Sequence, residues 1–173
     1  MMNLDIINST TAPWLYSCSS DLSAVTNFSW KISREDGTDL SVKLLRGDKM
    51  RSWQALFDEI AAALQFPYYF GENLNAFDEC VTDLEWLNAR GYFLVILKAD
   101  EVLANCDDTD FQALINHLNV AASEWAKPIK AGQTWDRDAR PFHVLFHTED
   151  QNADHLRARL ERINVNIPRL VFV

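Results

Sequence analysis

The chain has 173 residues, 48% of them apolar, and a formal net charge of −9 at pH 7. This composition is typical of a single globular domain and excludes a disordered chain. The acidic surplus disfavours binding to nucleic acid and anionic membranes and favours a basic protein partner, although charge that only aids solubility is the alternative interpretation.

Cysteine usage and the N-terminus indicate the compartment. Cys18, Cys80 and Cys106 are an odd number without metal-type spacing, so no disulfide framework is expected and a reducing compartment fits best. The N-terminus has no basic region followed by a long apolar run, and no segment is long enough to span a membrane. We therefore expect a cytoplasmic protein without a signal peptide.

The first third of the chain predicts short strands. Residues 1–13 are polar and are expected to be loose, and residues 14–18 are a candidate strand. Apolar and polar residues alternate over 28–34 and again over 39–46, which is typical of strands with one buried face. Because the tight-turn dipeptide Asp36-Gly37 lies between them, the pattern predicts an antiparallel hairpin.

Two helices are predicted next. Ser52 is a good cap for the first, whose apolar residues recur at three- and four-residue spacing, and Pro67 ends it. Asn73 caps the second helix. Its predicted buried stripe consists of Leu74, Phe77, Val81 and Leu84, with Cys80 beside them as inert core.

The remaining pattern alternates strands with helices. The continuous apolar run 92–97 predicts an interior strand of a parallel sheet, covered on both faces. A long helix capped by Asp108 or Thr109 follows, and after a loop comes a strand at 142–147. A last helix and a terminal strand at 170–173 complete an α/β arrangement with a short parallel sheet and flanking helices.

An aromatic loop leads into the second helix, whose exposed side is acidic. Tyr68, Tyr69 and Phe70 are consecutive, so at least one is expected to be exposed and to mark an interface; the alternative is that all three pack over the sheet edge. Asn75 and Glu79, together with Asp83, are four residues apart and share one helix face. Taken alone, that face is more typical of an ordinary solvated helix surface.

The stretch from strand to acidic helix resembles the barstar family, the intracellular inhibitors of the ribonuclease barnase. The resemblance covers residues 40–147 and is carried by a strand-end turn, a helix after Ser52, a proline breaker and a loop of specific sequence. These segments are Leu44-Leu45-Arg46-Gly47, Pro67, Tyr69-Phe70-Gly71-Glu72-Asn73-Leu74, Ala76-Phe77 and Glu79-Cys80. The family implies a barstar-like three-layer fold, here extended by an N-terminal hairpin and a C-terminal helix and strand.

The resemblance also implies which residues bind the partner. Glu79 stands at the position of the family's phosphate-mimicking aspartate, Asn75 replaces a second aspartate, and Asp78 stands where barstar has a tryptophan. Tyr69 matches a nuclease-contacting tyrosine, while Gly71 and Asn73 match the loop glycine and the asparagine after it. The predicted partner-binding set is Tyr68, Tyr69, Gly71, Asn73, Asn75, Asp78, Glu79 and Asp83.

The implied function is binding rather than catalysis. We expect an inhibitor that occludes the basic active site of a ribonuclease or related toxin, with no cofactor and no metal. The alternative is an adaptor or regulatory protein of the same fold without a nuclease target. The expected organisation is one domain over 1–173, with a core at 40–147 and extensions at 1–39 and 148–173.

A third hypothesis is a small enzyme. His143, His147 and Glu149 fall on one side of the last long strand, as metal ligands or catalytic groups do. The same alternation fits a half-exposed strand with its polar residues outward. The sequence contains no glycine-rich nucleotide loop and no nucleophile elbow.

Overall fold

Four parallel strands form the centre of the computed structural model, which describes residues 4–34 and 39–171. The strands are β1 (Leu15–Ser19), β2 (Leu40–Arg46), β3 (Gly91–Leu97) and β4 (Phe142–Thr148). The helices are α1 (Leu4–Ile7), α2 (Leu22–Ile32), α3 (Trp53–Leu64), α4 (Leu74–Asp83), α5 (Asp108–Trp125) and α6 (Ala153–Arg162). None of the helices in these ranges is both long enough and apolar enough to cross a membrane.

The sheet has the strand order β1-β4-β3-β2, and every neighbouring pair is parallel. A short C-terminal segment lies along the outer edge of β1. There the Ser17 amide donates to the carbonyl of Pro168 at 2.9 Å, and the Leu170 amide donates to the carbonyl of Ser17 at 2.8 Å. These two bonds extend the sheet by a single bridge beyond β1.

Helices cover both faces of the sheet. On one face, Leu94 and Ile96 of β3 pack in a core with α3, α4, α5 and α6. On the other face, Phe93 and Val95 pack with Val25 of α2 and with Ile7 of α1. The predicted interior strand and the three-layer α/β architecture are therefore confirmed, as a parallel sheet buried on both sides requires.

The predicted N-terminal hairpin is wrong. Residues 28–32 are the second half of α2, and β2 pairs in parallel with β3. Val25, Ser29 and Ile32 recur at helical spacing and are buried, whereas Trp30, which the strand interpretation placed inside, is 60% exposed. The predicted turn at Asp36-Gly37 lies outside the described residues.

The ends of the chain differ in part from the sequence prediction. The expected strand at 14–18 is confirmed as β1, but residues 4–7, predicted to be loose, form α1 with Ile7 fully buried. Residues 170–171 are not a strand, and 172–173 lie outside the described residues. The cap of α5 is Asp107, one residue before the predicted candidates, and it forms a capping box with Asp110.

The helices that carry the candidate site begin where the sequence predicted. The Ser52 hydroxyl accepts the Ala55 amide at 3.4 Å, and the Asn73 side chain accepts the Ala76 amide at 3.0 Å. These bonds satisfy amides that the first helical turn leaves without a partner. The Ser52 cap fixes the start of α3, and the Asn73 cap fixes the end of the loop between α3 and α4.

Candidate protein-binding site

The aromatic loop before α4 divides into an inward and an outward half. Phe70 packs edge-on against Phe66 and Phe57, with ring centroids 5.0 and 5.8 Å apart. Tyr68 is fully exposed and Tyr69 is 68% exposed. The prediction that at least one of these aromatics is exposed is confirmed, and the alternative in which all three are packed is wrong.

The backbone of this loop is fixed by side chains. The Asn73 amide nitrogen donates to the carbonyl of Gly71 at 2.9 Å. Glu72 adopts a left-handed conformation (φ 48°), and its carboxylate accepts from Gln54 of α3 at 2.7 Å. A Cβ on Gly71 would lie 3.0 Å from the Asn73 amide nitrogen, so the glycine leaves room for the cap while Glu72 makes the turn. The two tyrosines therefore project from a preorganised support.

The outer side of α4 carries carboxylates without a cation. Asn75, Glu79 and Asp83 are exposed, and within residues 4–34 and 39–171 no ion pair involves Glu79 or Asp83. Asp83 is the last residue of the helix, where the helix dipole disfavours negative charge by about 0.3–1 kcal/mol. The helix thus holds an unneutralised acidic surface that its own stability does not favour.

Asp78 is engaged differently from its neighbours. Its Oδ1 lies 2.7 Å from Nδ1 of His117 on α5, and both side chains are partly buried. The structure therefore places Asp78 at the α4–α5 contact rather than free on the acidic surface. No sequence pattern indicated this role of His117, because its partner lies 39 residues away.

Cys80 lies beneath the acidic surface. Burial raises the pKa of the Cys80 thiol, and the charges of Asp83 and Glu79 act in the same direction. A thiol with a raised pKa is a poor nucleophile. The sequence prediction of an inert core cysteine agrees with this environment.

A groove of about 500 Å³ adjoins the C-terminal end of α4. Asp83 and Trp125 line it, as does Trp135, which is exposed on the loop after α5. The loop is braced from within, since the Asp136 carboxylate accepts three backbone amides and the Arg137 guanidinium donates to backbone carbonyls. Sequence analysis missed Trp135 as a surface aromatic.

The histidine site of the third hypothesis is not assembled. All of β4 is buried, so the expectation of a half-exposed strand is wrong. Nε2 of His143 lies 2.7 Å from the carbonyl of Ser9, and Nε2 of His147 lies 3.0 Å from that of Ser20. Among the described residues, no group of three His, Cys, Asp or Glu side chains could hold a metal ion. The histidines instead attach β4 to the N-terminal segment.

Comparison with known proteins defines first the architecture and then the family. The fold is similar to two structures of the Aeropyrum pernix ORC2 protein. Its ADP form has 9% sequence identity and a TM-score of 0.62, and the alignment covers 94% of this chain and 42% of that chain. Its ADPNP–ADP complexes have 11% identity and a TM-score of 0.57, covering 90% and 41%. This chain spans about two fifths of the length of those proteins, and at such identity the likeness shows the fold alone.

The family is shown by the sequence. The family model of barstar (barnase inhibitor) matches residues 40–147, and the chain belongs to the barstar family. The match begins at β2 and ends with β4, so it contains the aromatic loop and α4 but not β1 or α2. Among curated proteins, none matches this sequence.

Proposed function

We propose that this chain is an inhibitor that binds the basic active site of a ribonuclease or related toxin and occludes it, as an immunity protein does in the producing cell. The observation that carries this proposal is the exposed pair Tyr68 and Tyr69 next to α4, whose Glu79 and Asp83 have no cation partner among the described residues. Exposed aromatics beside unpaired charges are typical of interface anchors.

The chemistry of the partner explains why this surface fits. A ribonuclease holds the phosphate of its substrate with arginine, lysine and histidine side chains. The Glu79 carboxylate occupies that phosphate position in the proposed complex, and the tyrosines fill the adjacent base pocket. Opposite charges on the two surfaces speed the encounter and fix the orientation. The protein itself catalyses nothing in this proposal.

The acidic surface also suggests that the partner differs from barnase. Glu79 is one methylene longer than the family's aspartate, and Asn75 has no charge where the family usually has one. Asp78 already contacts His117 through its Oδ1 and is less exposed to a partner than Glu79, although 43% of its side chain is exposed. Of the predicted set, Tyr68, Tyr69, Asn75, Glu79 and Asp83 therefore contact the partner in the proposed complex. Gly71 and Asn73 shape the loop.

The test compares three baits in native lysate: wild type, Glu79→Lys and the control Glu161→Lys, which makes the same charge change on α6. Captured proteins are identified by mass, and RNA cleavage by the eluted partner is then measured with and without added wild-type protein. We expect a basic nuclease captured by wild type and control but not by Glu79→Lys, with its cleavage inhibited stoichiometrically. Equal capture of the partner by wild type and Glu79→Lys, or RNA cleavage that the added wild-type protein does not inhibit, would overturn the proposal.

A second candidate, the adaptor function, is favoured by an apolar groove on the α2 side of the sheet. Trp30 and Leu44 are exposed there and, with Val42, line a groove of about 550 Å³. Because β1 and α2 are built into the sheet and its cover, deleting them would disturb folding. The sharper variant is Trp30→Lys in the same capture experiment. Loss of partners with Trp30→Lys but not with Glu79→Lys would support the adaptor.

A further inference from the structure

The connections of two adjacent strands leave the sheet on opposite faces. β1 leads into α2, which packs on one face through Val25 and Ile32. β4 leads into α6, which packs on the other face through Leu156 and Leu160. Because β1 and β4 are neighbours, their carboxyl ends form a topological switch point, where open α/β sheets bind ligands.

A cavity of about 340 Å³ lies at this switch point. Its walls include Ser19, the last residue of β1, and Thr148, the last residue of β4. Apolar side chains of α6 and of residues 165–168 line much of the rest, together with the polar side chains of Arg157, Glu161, Asn166 and Arg169. Its volume falls within the range of pockets that hold small organic molecules.

One cation at the cavity has no acidic partner. Arg169 donates to the Ser19 hydroxyl, and no ion pair in the described part of the chain involves it. The other arginine of the lining, Arg157, is already paired with Asp154 at 2.9 Å and with Glu161 at 3.8 Å. Arg169 and the neighbouring serine hydroxyls therefore offer donors to an anionic group.

Two alternative roles are excluded by the surroundings. The connection from β1 to α2 has no glycine, and the negatively charged Asp21 occupies the N-cap position of the helix, which disfavours a phosphate at that helix N-terminus. Cys18 lines the cavity, but burial raises the pKa of its thiol to about 12, so it is no nucleophile. The features of the cavity fit binding and do not fit phosphate cradling or covalent chemistry.

We propose that this cavity binds a small organic carboxylate with an apolar body. Arg169 and the hydroxyls of Ser17 and Ser19 hold the carboxylate, and the apolar body lies against Leu156 and Leu160 of α6. The site lies away from α4, and the proposal does not depend on nuclease inhibition.

Amide NMR titration of the full chain tests the proposal with three probes of equal chain length: octanoate, octanamide and octylammonium. We expect octanoate to cause saturable shifts at residues 17–19 and 156–160, with octanamide weaker and octylammonium without effect. Arg169→Gln should weaken octanoate about three- to tenfold, the range for one charged hydrogen bond at a partly exposed site, and leave octanamide unchanged.

Two further variants keep the test decisive. Arg90→Gln removes the same charge at an exposed position near the opposite end of the sheet and should leave octanoate binding unchanged. Ala153→Phe places a ring in the cavity and should weaken octanoate and octanamide alike. The proposal is overturned if octanoate causes no saturable shift, if its shifts map to the Trp30 groove, or if Arg169→Gln binds octanoate as wild type does.

Discussion

Two buried histidines make the stability of this fold depend on pH. His143 and His147 are fully buried on β4, and burial lowers the pKa of each imidazole, although backbone carbonyls near their ring nitrogens partly oppose this. Nδ1 of His147 has no hydrogen-bond partner within the described part of the chain. Protonating either ring places a charge between the sheet and the α2 layer.

The direction and size of the effect follow from proton linkage. In the unfolded chain both histidines take up protons near their ordinary pKa of about 6.5, whereas in the folded chain they do so only at lower pH. Their stabilisation is therefore complete above about pH 6.5 and is lost as the pH falls through the folded-state pKa. In that interval the free energy of unfolding falls by up to about 1.4 kcal/mol per pH unit for each histidine, or about 2.7 for both.

Carboxylates act in a separate range of pH. The hydrogen bond from Arg46 lowers the pKa of Glu59, so the stability that Glu59 contributes is present above its ordinary pKa of about 4.5 and is lost below it. Measurements between pH 7.5 and 5 therefore report mainly the histidines.

The assay is urea unfolding followed by tryptophan fluorescence at pH 7.5, 6.5 and 5.5. We expect wild type to lose stability on acidification, His143→Gln and His147→Gln each to lose about half of that pH dependence, and the double variant to be nearly flat. A wild-type free energy that does not change over this range would refute the reasoning, as would a double variant with the wild-type slope.

Three further predictions concern single side chains, each measured by urea unfolding at pH 7.5. Asn73→Ala should destabilise the fold by about 1 kcal/mol, because the cap of α4 is lost; an unchanged midpoint would contradict the assigned cap. Arg159→Met should cost about 3 kcal/mol, because buried Arg159 pairs with Asp108 and donates to two backbone carbonyls. The control Arg157→Met, at an exposed position of the same helix, should cost less than about 0.5 kcal/mol. Equal losses of stability in the two variants would contradict this assignment. Gly47→Ala should cost about 2 kcal/mol, because a Cβ there would lie 2.4 Å from the backbone carbonyl oxygens of Leu97 and Lys98 at the end of β3. Wild-type stability of this variant would show that the backbone there can move to make room.

Local signals made the middle of the chain predictable. Ser52 and Asn73 cap helices by accepting hydrogen bonds from amides three residues further along the chain, and such short-range bonds can be predicted from local sequence. The apolar run of β3 could be recognised because a strand covered on both faces leaves no polar alternation. The resemblance to the barstar family located the aromatic loop because the residues that carry the resemblance there are consecutive in the sequence.

The N-terminal segment could not be predicted from local pattern. Phe28, Trp30 and Ile32 alternate with polar residues, as in a strand. In a helix, however, Phe28 and Ile32 lie on one side and Trp30 faces solvent. The neighbouring strands decide between strand and helix, because Phe93, Val95 and Leu145 of β3 and β4 need an apolar layer over them. That requirement is tertiary, and no window of sequence contains it.

The candidate site shows the same division. Three consecutive aromatics are hard to bury together in one loop, so the sequence predicted that at least one of them is exposed, without showing which. The contact between Asp78 and His117 depends on how α4 packs against α5, so the sequence did not indicate that the Asp78 carboxylate is bonded to a histidine.

The match to the barstar family begins at β2, yet α1 and α2, which cover one of the two faces of the sheet, precede β2 in the chain. Without the N-terminal segment, Phe93 and Val95 would lose the cover of α2, and the bonds of His143 and His147 to Ser9 and Ser20 would be lost. We therefore infer that the N-terminal segment and the family core form one domain.

Since α2 and α4 pack on opposite faces of the sheet, a partner on the acidic helix leaves the Trp30 groove free. The two candidate interfaces can therefore be tested separately, because Trp30→Lys and Glu79→Lys each alter one surface and share no contact.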